Sequence, residues 1–291
     1  RNPVGICVAL ADKLVTLVDM FGIGEIPTGD KDPFALRRHT LGVIRILIEK
    51  GLPFELDKLI EQAIKIIEDK DIPTQWAKCF QDFKGIGKVA NTSSAASTGL
   101  DNTSIVYSPV VSQQRIVPKE SCEQLLIFIY ERLAGSLREQ GYTAQEVDAV
   151  LSLNPQHLGD IPKRLAAVRT FAALPEAISL AAANKRVGNI LKKVEGDIPT
   201  RVDTDLLREP DEQTLYQTLT GISPGTNEAF SAGDYTASLQ ILAALKSPVD
   251  AFFDNVMVNA DDESLRNNRF ALLAHLHQAM NRVADLSKLA S

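Results

Sequence analysis

Apolar residues recur three and four positions apart from Lys119 to Leu286, and no stretch alternates convincingly with period two. That spacing restricts the chain to an all-α fold. Glu120 to Gly141 aligns Leu125, Phe128, Ile129, Leu133 and Leu137 on one face, with Gly141 as the stop. Thr143 then caps Ala144 to Leu153, with Glu146 three residues on, as a capping box requires. This helix buries Val147, Val150 and Leu151. Asp160 or Pro162 opens Lys163 to Leu174, and Pro175 to Lys193 follows as one helix with Pro175 in its first turn. After a connection over 197–207 come four more helical stretches, 212–232, 235–245, 248–258 and 263–286.

The N-terminal third is helical but interrupted. Residues 3–20 form a helix apolar on most sides, with Val8, Ala11, Val15 and Val18 on one face and Ile6, Leu10, Leu14 and Leu17 beside it. Asp12 inside such a helix is costly unless paired, and a neighbouring Lys or Arg is the simpler partner than a metal. Gly22, Gly24, Pro27 and Gly29 make a loop. Asp32 as N-cap and Pro33 at the first helical position open the next helix, with Phe34, Leu36, Leu41, Ile44, Leu47 and Ile48 as its apolar side. Arg37, Arg38 and Arg45 stand on or beside its polar side, and Lys31 lies just ahead of it. Exposed N–H groups over 28–31 suit an anion, although Walker spacing is absent. Glu55 to Lys70 directs Leu56, Leu59, Ile60, Ala63, Ile66 and Ile67 inward, and Pro73 to Phe83 carries Trp76 in a short helix. Gly85 to Pro118 is rich in Ser, Thr, Asn and Gly, and reads as a polar linker or poorly ordered loop with short extended pieces at 105–107 and 110–111. The expected divisions are therefore 1–84, 85–118 and 119–291.

Charge singles out one helix. The chain totals −6 over 291 residues. Residues 163–193 hold seven basic side chains (Lys163, Arg164, Arg169, Lys185, Arg186, Lys192 and Lys193) against Glu176 alone, a local balance of +6. Leu180, Ala183, Val187 and Ile190/Leu191 form that helix's buried stripe, while Lys185, Asn189 and Lys192 share another face flanked by Arg186 and Lys193. Basic residues at helical spacing are ordinarily a solvated face. A basic patch on an acidic protein, however, marks a localised polyanion, and cations beside amides suit phosphates and base edges.

Other motifs are less informative. Cys7, Cys79 and Cys122 are too few and scattered for a disulfide framework, which points to a reducing, cytoplasmic compartment. No apolar run spans a bilayer. The sequence begins at Arg1 rather than Met and reads as a piece of a longer chain. Asp250 and Asp254 flank Phe252 and Phe253; pairing with Arg266 or Arg269, or capping, is favoured over catalysis. Arg266, Asn267, Asn268 and Arg269 could otherwise edge the basic patch. His275 and His277, two apart, do not share a helix face for a metal.

Three separated stretches carry a family resemblance: FGIGEIPTGDKDPFALRR (21–38), AAANKRVGNILKK (181–193), and SPVDAFFDNVMVNADDESLRNNRF with its continuation to Ser291 (247–291). In this order they resemble the bacterial glycyl-tRNA synthetase β subunit, over nearly all of the chain outside 85–118. The family protein is longer, so the chain corresponds to its C-terminal part. The resemblance implies the end of an HD-like helical domain up to about residue 84, then an anticodon-binding (DALR-like) bundle similar to that of arginyl-tRNA synthetase. Ala11-Asp12-Lys13-Leu14 resembles the segment bearing the last metal-ligand Asp of HD hydrolases. The family's domain is degenerate, so neither a metal ligand nor a catalytic residue is assigned.

The implied function is binding. Glycine tRNA would contact Arg169, Asn184, Lys185, Arg186, Asn189, Lys192 and Lys193, with Lys31, Arg37 and Arg38 as a second tRNA or interdomain patch. The partner would be the α subunit in an α2β2 assembly, whose class II site takes glycine with ATP and Mg, and no cofactor would be bound by this chain. Neither membrane nor DNA is implied. The alternatives are a piece of an HD-type metal-dependent phosphohydrolase, which needs a His-Asp pair and a divalent metal, and a structural subunit whose basic helix packs on an acidic partner.

Overall fold

A computed structural model describes residues 3–68 and 117–290, and every regular element in them is helical. The only β-pairings among these residues are isolated bridges, Thr28 with Lys31 and Glu55 with His157. The chain divides into two compact units. One holds the described residues up to Thr40 and from Asp57 to Leu126; the other holds Leu41–Leu56 and residues from Ile127 onward. The expected helix with Trp76, the extended pieces at 105–107 and 110–111, and the linker over 85–118 apart from Val117 and Pro118 lie outside the described residues.

In the first unit, α1 (Pro3–Gly22) buries Leu10, Leu14, Leu17, Val18 and Phe21. It is one-sided rather than apolar all round. Val8 is 63% exposed and Asp12 is exposed, so the carboxylate faces solvent and needs neither a cationic partner nor a metal. α2 (Leu36–Glu49) begins four residues after the expected N-cap. Pro33 and Phe34 form a turn and Ala35 takes a left-handed φ of 53°, so the helical path starts only at Leu36. Asp32 still satisfies first-turn amides, accepting from the N–H of Leu36 (2.7 Å) and of Arg37 (3.0 Å). Phe34, expected inward, is exposed because it lies in this turn. Ile66 near the end of α3 (Leu56–Glu68) is likewise exposed. Glu68 accepts from the N–H of Val117 (3.1 Å), whose side chain lies against Gly22.

The second unit is where the helical period was clearest. In α4 (Lys119–Glu139), whose residues up to Leu126 belong to the first unit, Leu125, Phe128, Ile129, Leu133 and Leu137 are all buried, and Gly141 leaves the helix at φ 90°. Both halves of the Thr143–Glu146 capping box form at the start of α5 (Ala144–Leu151). A 3₁₀ turn over Leu158–Asp160 leads into α6 (Ile161–Ala172), with Pro162 in its first turn. Then come α7 (Ala177–Leu191), α8 (Pro210–Ser231), α9 (Tyr235–Ile241), α10 (Lys246–Asn255) and α11 (Glu263–Met280). α9 packs on α6 and α8, and α10 packs on α8 and α7. α7 also rests on α11 and on the C-terminal 3₁₀ turn Leu286–Leu289. A Cβ at Gly188 would stand 3.3 Å from Nε2 of His277, so the missing side chain lets the imidazole of α11 lie against α7.

Candidate nucleic-acid interface

α7 starts at Ala177 rather than Pro175, because Pro175 and Glu176 complete a turn ahead of it. Its buried stripe is Ala177, Leu180, Ala181, Ala183, Asn184 and Val187. Lys185, Arg186, Asn189, Lys192 and Lys193 are exposed, as expected of the basic face. Lys185, Arg186, Asn189 and Lys193 line a cavity of about 520 Å³. Ala182, Ile190 and Val194 from the same part of the chain, with Phe270 of α11, give it apolar walls. Asn259, from the loop after α10, adds a second amide. Three cations, two amides and apolar surface bound one volume.

Two expected contacts are corrected. Asn184 is fully buried, and its amide is spent on Asn281 in a reciprocal pair: Asn184 Nδ2 donates to Asn281 Oδ1 (2.8 Å), and Asn281 Nδ2 returns to Asn184 Oδ1 (3.0 Å). It joins α7 to the end of α11 and has no edge to offer a ligand. Its position four after Leu180 and three before Val187 already put it in the buried stripe. Arg169 lies on α6 and is committed elsewhere. Its Nε and Nη2 donate to the Glu146 carboxylate (2.7 and 3.0 Å), Nη2 also donates to the Gly141 carbonyl (3.3 Å), and its guanidinium lies 4.6 Å from the Tyr142 ring centre. Arg169 bonding holds the Glu146 carboxyl down at about 2, ahead of burial, which pushes it up, and the Thr143 bonds, which lower it further.

Lys192 caps the C-terminal end of α7, near His277. Burial pushes that imidazole below its ordinary value; Asp285 opposes the shift and Lys192 adds to it. The second patch belongs to the other unit. There Arg37 donates to the Gly29 carbonyl and so braces the loop, while Lys31 and Arg38 are exposed.

Three features of the site left no mark in the local sequence pattern. Arg186 places its guanidinium 4.1 Å from the ring centre of Phe253 on α10. α10 is joined to α7 a second time where Ser179 donates to Asp250 (2.7 Å), which also accepts from Lys246 (2.8 Å). Asp250 therefore has the expected structural role, but with Lys246 and Ser179 instead of Arg266 or Arg269. The Lys246 bond holds the Asp250 carboxyl below its ordinary value. Finally, Asn268 and Arg269 face inward, not toward a ligand. Asn268 exchanges two bonds with the backbone of Asp203, and Arg269 is buried against Glu212. Among the described residues, no group of three His, Cys, Asp or Glu side chains is gathered to hold a metal.

Comparison with known proteins decides the family. The sequence model described as glycyl-tRNA synthetase beta subunit matches residues 1–152, and that described as DALR anticodon binding domain matches residues 180–288, which take in α7 from Leu180 on, all of α8 to α11, and every residue lining the cavity. The chain belongs to the glycyl-tRNA synthetase beta subunit family. It is 56% identical along its whole length to the glycine–tRNA ligase beta subunit of Janthinobacterium sp. (strain Marseille), of which it covers 35%. To the same subunit of Polaromonas naphthalenivorans (strain CJ2) and of Nitrosomonas europaea it is 54% identical, covering 34% and 36% of those chains. The chain thus spans about a third of the length of these relatives. Among the described residues, no single helix is long and apolar enough to cross a membrane.

Proposed function

We propose that this chain is the tRNA-binding, C-terminal part of a glycine–tRNA ligase β subunit, and that α7 carries the contact with the anticodon arm. The observation that supports it is the gathering of Lys185, Arg186, Lys193 and Asn189 around one cavity in the anticodon-binding part of an otherwise acidic chain. Lysine and arginine bind phosphates without reading sequence, whereas amides can bond base edges unstacked in a loop. Lys185, Arg186, Lys192 and Lys193 supply the first kind of contact, and Asn189 the second. Lys31, Arg37 and Arg38 form a weaker patch for another part of the tRNA or of the β subunit.

The chain's part is to bind and orient. The bond-making step belongs to the α subunit, which takes glycine with ATP and Mg in an α2β2 enzyme of the cytoplasm. The test is glycine tRNA binding by the whole β subunit with its α partner, wild type against Lys185→Glu/Arg186→Glu, at two salt concentrations. Circular dichroism monitors the fold. The double variant is expected to lose the preference for glycine tRNA over an anticodon-swapped one. Unchanged binding would make α7 a solvated face and move the contact elsewhere.

A further inference from the structure

Resting on that reading of α7, we infer that the cavity receives one unstacked nucleotide of the tRNA and that Asn259 determines which base it accepts. The volume, about 520 Å³, lies within the range of small-ligand sites. Its lining is divided as a nucleotide is divided. Lys185, Arg186 and Lys193 bring positive charge for a phosphate, while Ala182, Ile190, Val194 and Phe270 bring apolar surface for a base plane. The two amides, Asn189 and Asn259, bring donors and acceptors for the edge of that base.

Several other amides are committed elsewhere. Asn184 and Asn281 bond each other, Asn268 bonds Asp203, Asn255 donates to Asp211 (2.8 Å), and Asn227 accepts from Arg282. Asn189 and Asn259 are exposed, and their side chains make no hydrogen bond with the described residues.

Asn259 is also held in a way that suits a reading residue. It lies on the loop between α10 and α11, and the loop is fastened on both sides of it. Arg269 donates to the Met257 carbonyl (2.6 Å), and Arg266 donates to the Ala260 carbonyl (2.9 Å). Arg269 is itself anchored on the fully buried carboxylate of Glu212. Two guanidiniums from α11 thus fix the backbone next to Asn259, and a side chain carried on a fixed backbone discriminates better than one on a mobile loop. Arg266 and Arg269 act through this loop as positioning residues rather than as RNA contacts.

The experiment uses the enzyme with both subunits and measures kcat/KM of aminoacylation for glycine tRNA and for transcripts with each anticodon base replaced in turn. Asn259→Ala is expected to lower discrimination at one anticodon position about tenfold, the scale of one good amide–base pair. Its thermal midpoint and the salt dependence of tRNA binding should stay at the wild-type values. If discrimination is unchanged at every anticodon position while the Lys185→Glu/Arg186→Glu variant loses tRNA affinity, the basic helix stands and the role of Asn259 is overturned. If the charge-reversed variant also binds as wild type, the reading of α7 fails and this inference with it. Arg266→Gln gives a second measurement. It should lower the same discrimination ratio, and wild-type discrimination in this variant would overturn the proposed loop clamp.

Discussion

The guanidinium of Arg186 lies over the ring of Phe253, 4.1 Å from its centre, and so one wall of the basic cavity is set by a residue of a different helix. An exposed arginine is otherwise free to sample many rotamers, and ordering it on binding costs affinity. Stacked on an aromatic face it is held in part beforehand, at a gain of about 0.5–1 kcal/mol for exposed sites. Phe253→Leu should weaken tRNA binding by roughly two- to fivefold on that scale, whereas Phe253→Tyr should preserve it. Both variants should retain the wild-type salt slope, because no cation is lost. Equilibrium binding at several salt concentrations checks this, and a flattened slope in Phe253→Leu would contradict it.

The opposite signature is expected when the cations go. Each phosphate neutralised on a single strand adds about 0.7 to the slope of log affinity against log salt. Neutralising Lys185, Arg186, Lys192 and Lys193 together should flatten the slope by about three. A slope within experimental error of wild type would show that these side chains face water in the complex.

Arg269 and Glu212 form the buried ion pair of this unit. Glu212 also accepts from the N–H groups of Arg208 (2.8 Å) and Glu209 (3.0 Å) at the start of α8. Removing one partner of such a pair strands the other charge away from water, at a cost of about 3–5 kcal/mol. Glu212→Ala should therefore lower the thermal midpoint by on the order of ten degrees. Differential scanning calorimetry would measure it, and a shift below about two degrees would show that Arg269 finds water or another acceptor.

These residues also show how far local pattern reaches. The faces of α4 and the Thr143–Glu146 capping box were legible because each depends on residues within a turn or two. So was the exposure of Lys185 and Lys193, which follows from the stripe that α7 buries. The burial of Asn184 was present in the same spacing but is overridden if polarity alone is read. The start of α2 at Leu36 depends on the left-handed backbone of Ala35, which no alanine announces. Phe253 under Arg186, Glu212 beside Arg269 and Asn259 in the cavity join segments distant in the chain. Their pairing is a product of tertiary packing, and periodicity carries no information on it.

Acid should act on the second unit through Glu146. Its carboxyl is held at about 2, against an ordinary 4.5, chiefly by Arg169. A carboxylate whose value is lower in the folded state than in the unfolded one contributes stability above the unfolded value. That contribution is lost as pH falls through the window from 4.5 to about 2. In Arg169→Ala the Glu146 carboxyl should titrate higher, and the acid limb of unfolding should begin at higher pH. A chemical-shift titration of the Glu146 carboxyl, run beside acid unfolding, measures both. An unmoved titration would show that the Thr143 bonds suffice.

Asn184 and Asn189 stand five residues apart on α7 and should respond to mutation in opposite ways. Asn184→Leu removes one half of a buried amide pair and leaves Asn281 without its partner on α7, a cost of about 1–3 kcal/mol. The protein that remains folded should bind tRNA as wild type does, since the Asn184 amide never reaches the surface. Asn189→Ala leaves packing untouched, because the side chain is exposed on the cavity wall. It should melt at the wild-type temperature, within about 0.5 kcal/mol, yet lose affinity for glycine tRNA. Thermal melts and binding isotherms on the two variants separate the roles. If Asn184→Leu were the variant that bound weakly at full stability, the buried and exposed faces of α7 would be wrongly assigned.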